Sequence, residues 1–193
     1  IPQNLIIELN NYLDKIISND EKIKLQDYGN KLAGNVSQEF NLEKDFINSS
    51  GLQKFLTQNA KEWIKQTVNK EINKCDIVES WIVRQFENEY NPTHFHGGHI
   101  SGAGFLKVPS SLGNYKQTKA NMDYSGGKLQ LIHGSRQFMS QSVVDITPKV
   151  GDFYFFPNYL MHAVFPFKNS NEERRSISFN AKIDENIYNV YGG

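Results

Sequence analysis

The sequence predicts an α+β fold: an antiparallel, jelly-roll-like core with N-terminal helices packed on it. Two observations carry this. Through much of the first 75 residues, apolar side chains recur at helical spacing. From about residue 76 the chain changes to short alternating runs, β-branched and aromatic, punctuated by Gly, Pro and Asn. That rhythm belongs to a sandwich or barrel.

The elements follow in order. "NLIIELNNYLDKIIS" spaces Leu5, Ile6, Leu9, Leu13, Ile16 and Ile17 by threes and fours, an amphipathic helix. "SSGLQKFLTQNAKEWIKQTVNKEI" repeats the pattern through Leu52, Phe55, Leu56, Trp63, Ile64 and Val68. Between them, residues 19–50 are polar and read as loop with one short helix. The strand-like runs are "DIVESWIVRQF", "ISGAGFLKVP", "GGKLQLIH", "QSVVDITP", "DFYFFP", "MHAVFPF" and "RRSISFNAKI". The reading is therefore a helical region over 1–75 and a β core of about eight strands over 76–193.

Composition narrows the function classes. Lys+Arg and Asp+Glu are 21 each among 193 residues, so no net field recruits nucleic acid or an anionic membrane. No apolar run approaches the roughly 18 residues of a membrane span. Cys75 is the one cysteine, which excludes an intrachain disulfide and a Cys-rich zinc site. It fits a reducing, cytoplasmic setting. The start, "IPQNL", has neither an initiator Met nor a signal-peptide pattern, and reads as a trimmed or partial chain. The Asn- and Lys-rich composition is compatible with an AT-rich genome such as a phage's.

Three of the five histidines lie within "HFHGGH". His94 and His96 are two apart, so on an extended chain they leave the same face, about 7 Å apart at the backbone. Two such imidazoles can chelate one metal, or can be a surface pair beside a turn. His99 is out of phase, and the Gly97-Gly98 break leaves its direction open: a neighbour of the metal site, a substrate-side residue, a ligand or an exposed histidine. His162 sits between apolar Met161 and Ala163, where a lone histidine is usually a hydrogen-bonded core residue. On the last strand, Arg174, Ser176, Ser178 and Asn180 share one face, and Arg175, Ile177 and Phe179 the other. The first face suits a polar cavity, with Arg174 able to bind a carboxylate in bidentate fashion and Ser176 able to donate a further hydrogen bond. A solvated strand face is the alternative. Arg175, out of phase, is the other candidate for the anion.

In this order, "HFHGGHISGAGFLKVP", "GGKLQL", "ITPKVGDFYFFPNYLMHAVFPF" and "ERRSISFN" resemble the Fe(II)- and 2-oxoglutarate-dependent oxygenases. More narrowly, they are similar to a bacterial and phage subgroup of mostly unassigned substrate. The resemblance covers residues 80–183. It implies a double-stranded β-helix of cupin-like form, with Fe(II), 2-oxoglutarate as cosubstrate, and O2. By position, His94 matches the first metal histidine, His162 the distal one, Arg174 the arginine that holds the distal carboxylate, and Ser176 the serine beside it. His99 and Asn180 become candidates for the layer behind the ligands.

Position 96 departs from the family's pattern, which has a carboxylate there. Either His96 is a third ligand, or it sits beside the metal, or the pair is read one step along as His96 with His99. We adopt the first. The implied reaction is hydroxylation of a peptidyl residue or a small molecule, with 2-oxoglutarate decarboxylated to succinate. The mouth would be lined by the aromatics of 153–156 and the loop 109–125, with Lys107, Lys116 and Lys119 nearby. Two rivals remain at this point: a cupin-like metal enzyme without 2-oxoglutarate, and a non-catalytic scaffold.

Overall fold

The computed structural model describes residues 1–27, 29, 34–112, 126–135, 137–139 and 141–189. The predicted first helix is α1, Gln3–Ile17, which buries Leu5, Ile6, Leu9, Leu13 and Ile16. The second long helix is α4, Leu52–Val68, which buries Leu52, Leu56, Ala60 and Ile64. Each fully buried leucine of these stripes contributes about 2 kcal/mol. Loop segment 113–125, including Lys116 and Lys119, lies outside the described residues.

The stretch 19–50 holds more structure than its polarity suggests. Helix α2 spans Asp20–Gln26 and buries nothing, so it shows no apolar stripe. Its start is a cap: Asn19 accepts from the backbone N–H groups of Glu21 and Lys22. Strand β1, Gln38–Asn41, is four residues long, too short to reveal alternation. A further helix, α3, covers Lys44–Ser49.

The remaining strands are β2 (Cys75–Gln85), β3 (Asn91–His94), β4 (Ile100–Lys107), β5 (Leu129–Ile132), β6 (Val143–Ile146), β7 (Phe153–Pro157), β8 (Met161–Val164) and β9 (Arg174–Ile183). A short helix, α5, follows at Glu185–Tyr188. All strand pairings are antiparallel among the described residues. One sheet runs β1-β2-β9-β4-β7 and the other β3-β8-β5-β6. So β1 carries part of the N-terminal region into the larger sheet, by pairing with β2 from Gln38↔Arg84 to Asn41↔Trp81.

The outer face of the larger sheet packs on the helices. Ile82, Ile100, Leu106, Ile177, Phe179 and Ala181 join the helical leucines and isoleucines in one core. Close approach there explains two glycines of "SGAG". A Cβ on Gly102 would stand 2.7 Å from the rings of Phe153 and Phe179, and one on Gly104 would stand 2.4 Å from Phe153. The inner face meets the smaller sheet, where Phe105, Leu129 and Ile146 form a second cluster with Leu131, Tyr154 and Val164 beside it.

A charged network ties α1 to the sheet. Glu173 accepts from Arg84, Lys107 and Arg175, and Arg175 reaches on to Asp14 at 2.6 Å. Burial pushes the Glu173 carboxyl up, but hydrogen bonds from Arg175 and Arg84, with their charges, outweigh it. They hold it at about 2, against an ordinary 4.5. A carboxyl whose pKa is depressed on folding stabilises the fold above its unfolded value and loses that contribution as pH falls through the folded one. Glu173→Gln is therefore expected to cost about 3 kcal/mol at pH 7, as for one partner removed from a buried pair. The difference from wild type should narrow between pH 4.5 and 2. Urea titrations of both proteins across that range are the check, and a gap that stays constant with pH contradicts the assignment.

Candidate metal centre

The fold brings His94, His96 and His162 to one point. His94 ends β3 and pairs across the ladder with His162 on β8. His96 follows β3, held by its N–H donating to the Asn158 carbonyl at 3.0 Å. Each residue offers one ring nitrogen, and the three nitrogens lie within 4.8 Å of one another. Nε2 of His96 and Nε2 of His162 are 3.1 Å apart. Two nitrogens bound to one metal at about 2.1 Å and at right angles stand about 3.0 Å apart, so this spacing suits a shared ion.

The far side of each outer ring is fixed. His162 Nδ1 lies 2.9 Å from the Leu160 carbonyl and His94 Nδ1 lies 2.6 Å from the Pro92 carbonyl. A carbonyl makes the facing nitrogen the N–H donor, which leaves Nε2 as the lone pair. Burial pulls the His96 imidazole down to about 3, with the neighbouring His162 and His94 adding to the shift. Burial likewise pulls His162 down to about 4, against the bond to Leu160 and with help from His94. Both are neutral near pH 7, the form that binds metal.

The same cavity is walled by Arg174, Ser176 and Ser178 of β9. Trp81, Val83, Phe105, Leu129, Phe156 and Val164 supply its apolar lining. Arg174 is 2 % exposed and has no carboxylate within ion-pair reach among the described residues. One guanidinium nitrogen donates to the Gly127 carbonyl at 2.8 Å, while Nε is buried with no partner among the described residues. Burial lowers its pKa to about 9. A buried cation left short of an acceptor is costly, and an incoming carboxylate would complete it. Arg175 lies on the opposite face, bound to Glu173, Asp14 and Asn10. Strand alternation thus leaves Arg174 as the arginine at the cavity.

Two candidates stand elsewhere. His99 is buried away from the three histidines: its Nδ1 accepts from the Ile183 N–H at 3.0 Å and its ring stacks on Tyr188, with centroids 4.0 Å apart. Gly98, at φ +85, makes the turn that separates it from His96. Asn180 is hydrogen-bonded to Ser101 and Glu79, and neither Asn180 nor His99 lines the cavity. The aromatics of 153–156 are also divided. Phe153 and Phe155 face the helices, against Phe55 and Trp63, while Phe156 lines the cavity 4.9 Å from the His162 ring. A two-residue period sends neighbours to opposite faces, so the four could not all reach the mouth.

Sequence reasoning missed Glu39. It lies on β1, is 1 % exposed, and walls the same cavity. Nothing in "SQEFN" marks it, because its burial depends on a pairing with Val83 of β2, 44 residues away.

Residues 79–180 match the family described as "Putative 2OG-Fe(II) oxygenase". The chain belongs to that family. No curated relative matches it in sequence. Among solved structures, it is similar to HygX from Streptomyces hygroscopicus with nickel, 2-oxoglutarate and hygromycin B bound. The TM-score is 0.59 at 11 % identity, over 94 % of this chain and 79 % of that one. It is also similar to the viral collagen prolyl hydroxylase of Paramecium bursaria Chlorella virus-1 in its 2-oxoglutarate complex. Here the TM-score is 0.56 at 16 % identity, over 94 % of both chains. A Pseudomonas putida prolyl-4-hydroxylase gives 0.56 at 13 %, over 94 % of this chain and 88 % of that one. At these identities the likeness is one of fold. Within the oxygenase family's pattern, the three-histidine cluster and the open Arg174 fit an iron ion and a dicarboxylate. No helix among the described residues is long and apolar enough to cross a membrane.

Proposed function

We propose that the chain is a hydroxylase, which holds Fe(II) through His94, His96 and His162 and 2-oxoglutarate through Arg174 and Ser176. The two facing sheets are then the two halves of a double-stranded β-helix. Residues 76–193 are its oxygenase core, and residues 1–75 are a buttress that lends one strand. The observation that carries the reading is the fully buried Arg174, whose Nε lacks an acceptor among the described residues, in the cavity where three imidazoles converge.

When bound, iron activates O2 for a reaction that converts 2-oxoglutarate to succinate and CO2 and a substrate C–H to C–OH. The protein's own share is positional. Leu160 and Pro92 carbonyls orient two imidazoles. Arg174 and the Ser176 hydroxyl bind the distal carboxylate, which turns the keto acid towards the metal. Trp81, Val83, Phe105, Phe156 and Val164 keep water away from the reacting centre. Similar folds are found in prolyl hydroxylases and in HygX, whose structure holds hygromycin B, so the fold alone does not choose the substrate.

The test is reconstitution with Fe(II) under argon, followed by calorimetry with 2-oxoglutarate and then succinate formation in air. Metal-dependent 2-oxoglutarate binding and slow substrate-free succinate formation are expected. Absence of both sinks the reading.

A further inference from the structure

Glu39 has a position that the oxygenase reading does not use. Its carboxyl is buried, and Oε2 has no hydrogen-bond partner among the described residues. The Asn91 side chain lies beside the same carboxyl, and Asn91 Oδ1 is itself buried without a donor among the described residues. Glu39 is not among the groups whose ligand atoms converge with the histidines, so it is not placed as a metal ligand.

Its place in the sheet separates it from the cosubstrate. Glu39 pairs with Val83, Val83 with Ser176, and Ser176 with Phe105, one row across four strands. All four line the cavity. At about 4.8 Å per strand, the Glu39 backbone lies about 10 Å to the side of Ser176, on the edge strand. Asn91 begins the strand that His94 ends. A group seated at Glu39 therefore lies on the β1–β3 side of the cavity, on a row midway between that of Trp81, whose ring neighbours His96, and that of Arg174. The cavity measures about 50 Å³. A water-sized group needs roughly 10–15 Å³ on that measure, so the cavity as a whole has room for more than one such group.

The local field selects the sign. Among the described residues, the charges that act on Glu39 are acidic: Asp27 and Glu89 both disfavour its ionised form. Together with burial, which is the larger effect, they push its carboxyl up to about 7. Among the described residues the site is thus acceptor-rich, negatively biased and without a donor for that oxygen. A cation that donates N–H bonds relieves the repulsion and the unpartnered oxygen together.

We propose that Glu39 recognises the substrate, and that the substrate carries a cationic nitrogen, a primary ammonium or a guanidinium, bound at Glu39 while the carbon to be oxidised lies over the three histidines. This rests on the oxygenase reading and assigns its substrate class.

The experiment uses the whole chain loaded with Mn(II) and 2-oxoglutarate, without O2. The probes are n-butylammonium and n-butylguanidinium, with 1-butanol and butyrate as neutral and anionic counterparts. Mn(II) broadens the NMR signals of a small molecule that binds close to it. We expect saturable broadening of both cations, at least tenfold tighter than 1-butanol, and none of butyrate. Glu39→Gln, checked for folding by its thermal transition, should lose at least tenfold in cation affinity. The comparison of probes on the wild-type protein needs no variant and stands if Glu39→Gln does not fold. Equal binding of cation and alcohol overturns the proposal, as does a folded Glu39→Gln protein that keeps wild-type cation affinity. Failure of 2-oxoglutarate to bind the metal-loaded protein sinks the oxygenase reading as well. Normal 2-oxoglutarate binding with no preference for cations sinks the substrate assignment alone.

Discussion

Arg174→Met is expected to weaken 2-oxoglutarate binding by about 100-fold or more while the melting temperature stays within a few degrees of wild type. The two halves of this result have separate causes. A bidentate guanidinium–carboxylate pair in a closed cavity contributes about 3 kcal/mol, which is a factor of about 100 in affinity. In the unliganded protein, by contrast, Arg174 stabilises little. It is buried without a carboxylate among the described residues, and Nε is unpartnered. Methionine keeps the unbranched apolar stem and removes the desolvated charge, at the cost of the guanidinium end and its hydrogen bond to the Gly127 carbonyl. Losses and gains of about 1 kcal/mol then nearly cancel, which is about 2–4 °C in a chain of this size. Calorimetry with 2-oxoglutarate and a thermal melt decide it. A variant that melts far below wild type yet binds 2-oxoglutarate normally would make Arg174 structural.

Single alanine substitutions of His94, His96 and His162 should each lower Fe(II) or Mn(II) affinity by more than about 100-fold, since loss of groups that merely support a ligand already costs 10–100-fold. The informative one is His96, where the family's pattern places a carboxylate. Its Nε2 lies 3.1 Å from that of His162, so we expect His96→Ala to lose as much as His94→Ala. His96→Asp should retain metal and bind it more tightly than His96→Ala, because a carboxylate is both a ligand and a counter-charge to the ion. Metal content after dialysis against a weak chelator measures all four proteins. Full retention in His96→Ala would remove His96 from the coordination set.

Some of this was legible along the chain. The stripes of α1 and α4 appear because a helix repeats every 3.6 residues, and Leu5, Leu9, Leu13 and Ile16 follow that period. The two faces of β9 appear because a strand repeats every two, so Arg174 parts from Arg175 without any coordinates. Of the short elements in 19–50, the sequence offered only one unplaced helix. Helix α2 buries no residue, and β1 is stable as a strand because β2 lies beside it. Glu39 was hidden with β1.

His94 and His96 on one face, a histidine before the last strand, and Arg174 two residues from Ser176 are properties of the sequence, because local periodicity sets the direction of each side chain. Three matters were decided by the tertiary structure. Ladder pairing of β3 with β8 places His162 opposite His94, across 68 residues of chain. The turn at Gly98 sends His99 under Tyr188 instead of to the metal histidines. Edge pairing of β1 carries Glu39 into the cavity. Each depends on contacts between residues far apart in sequence, and such contacts leave no period for a linear reading to detect.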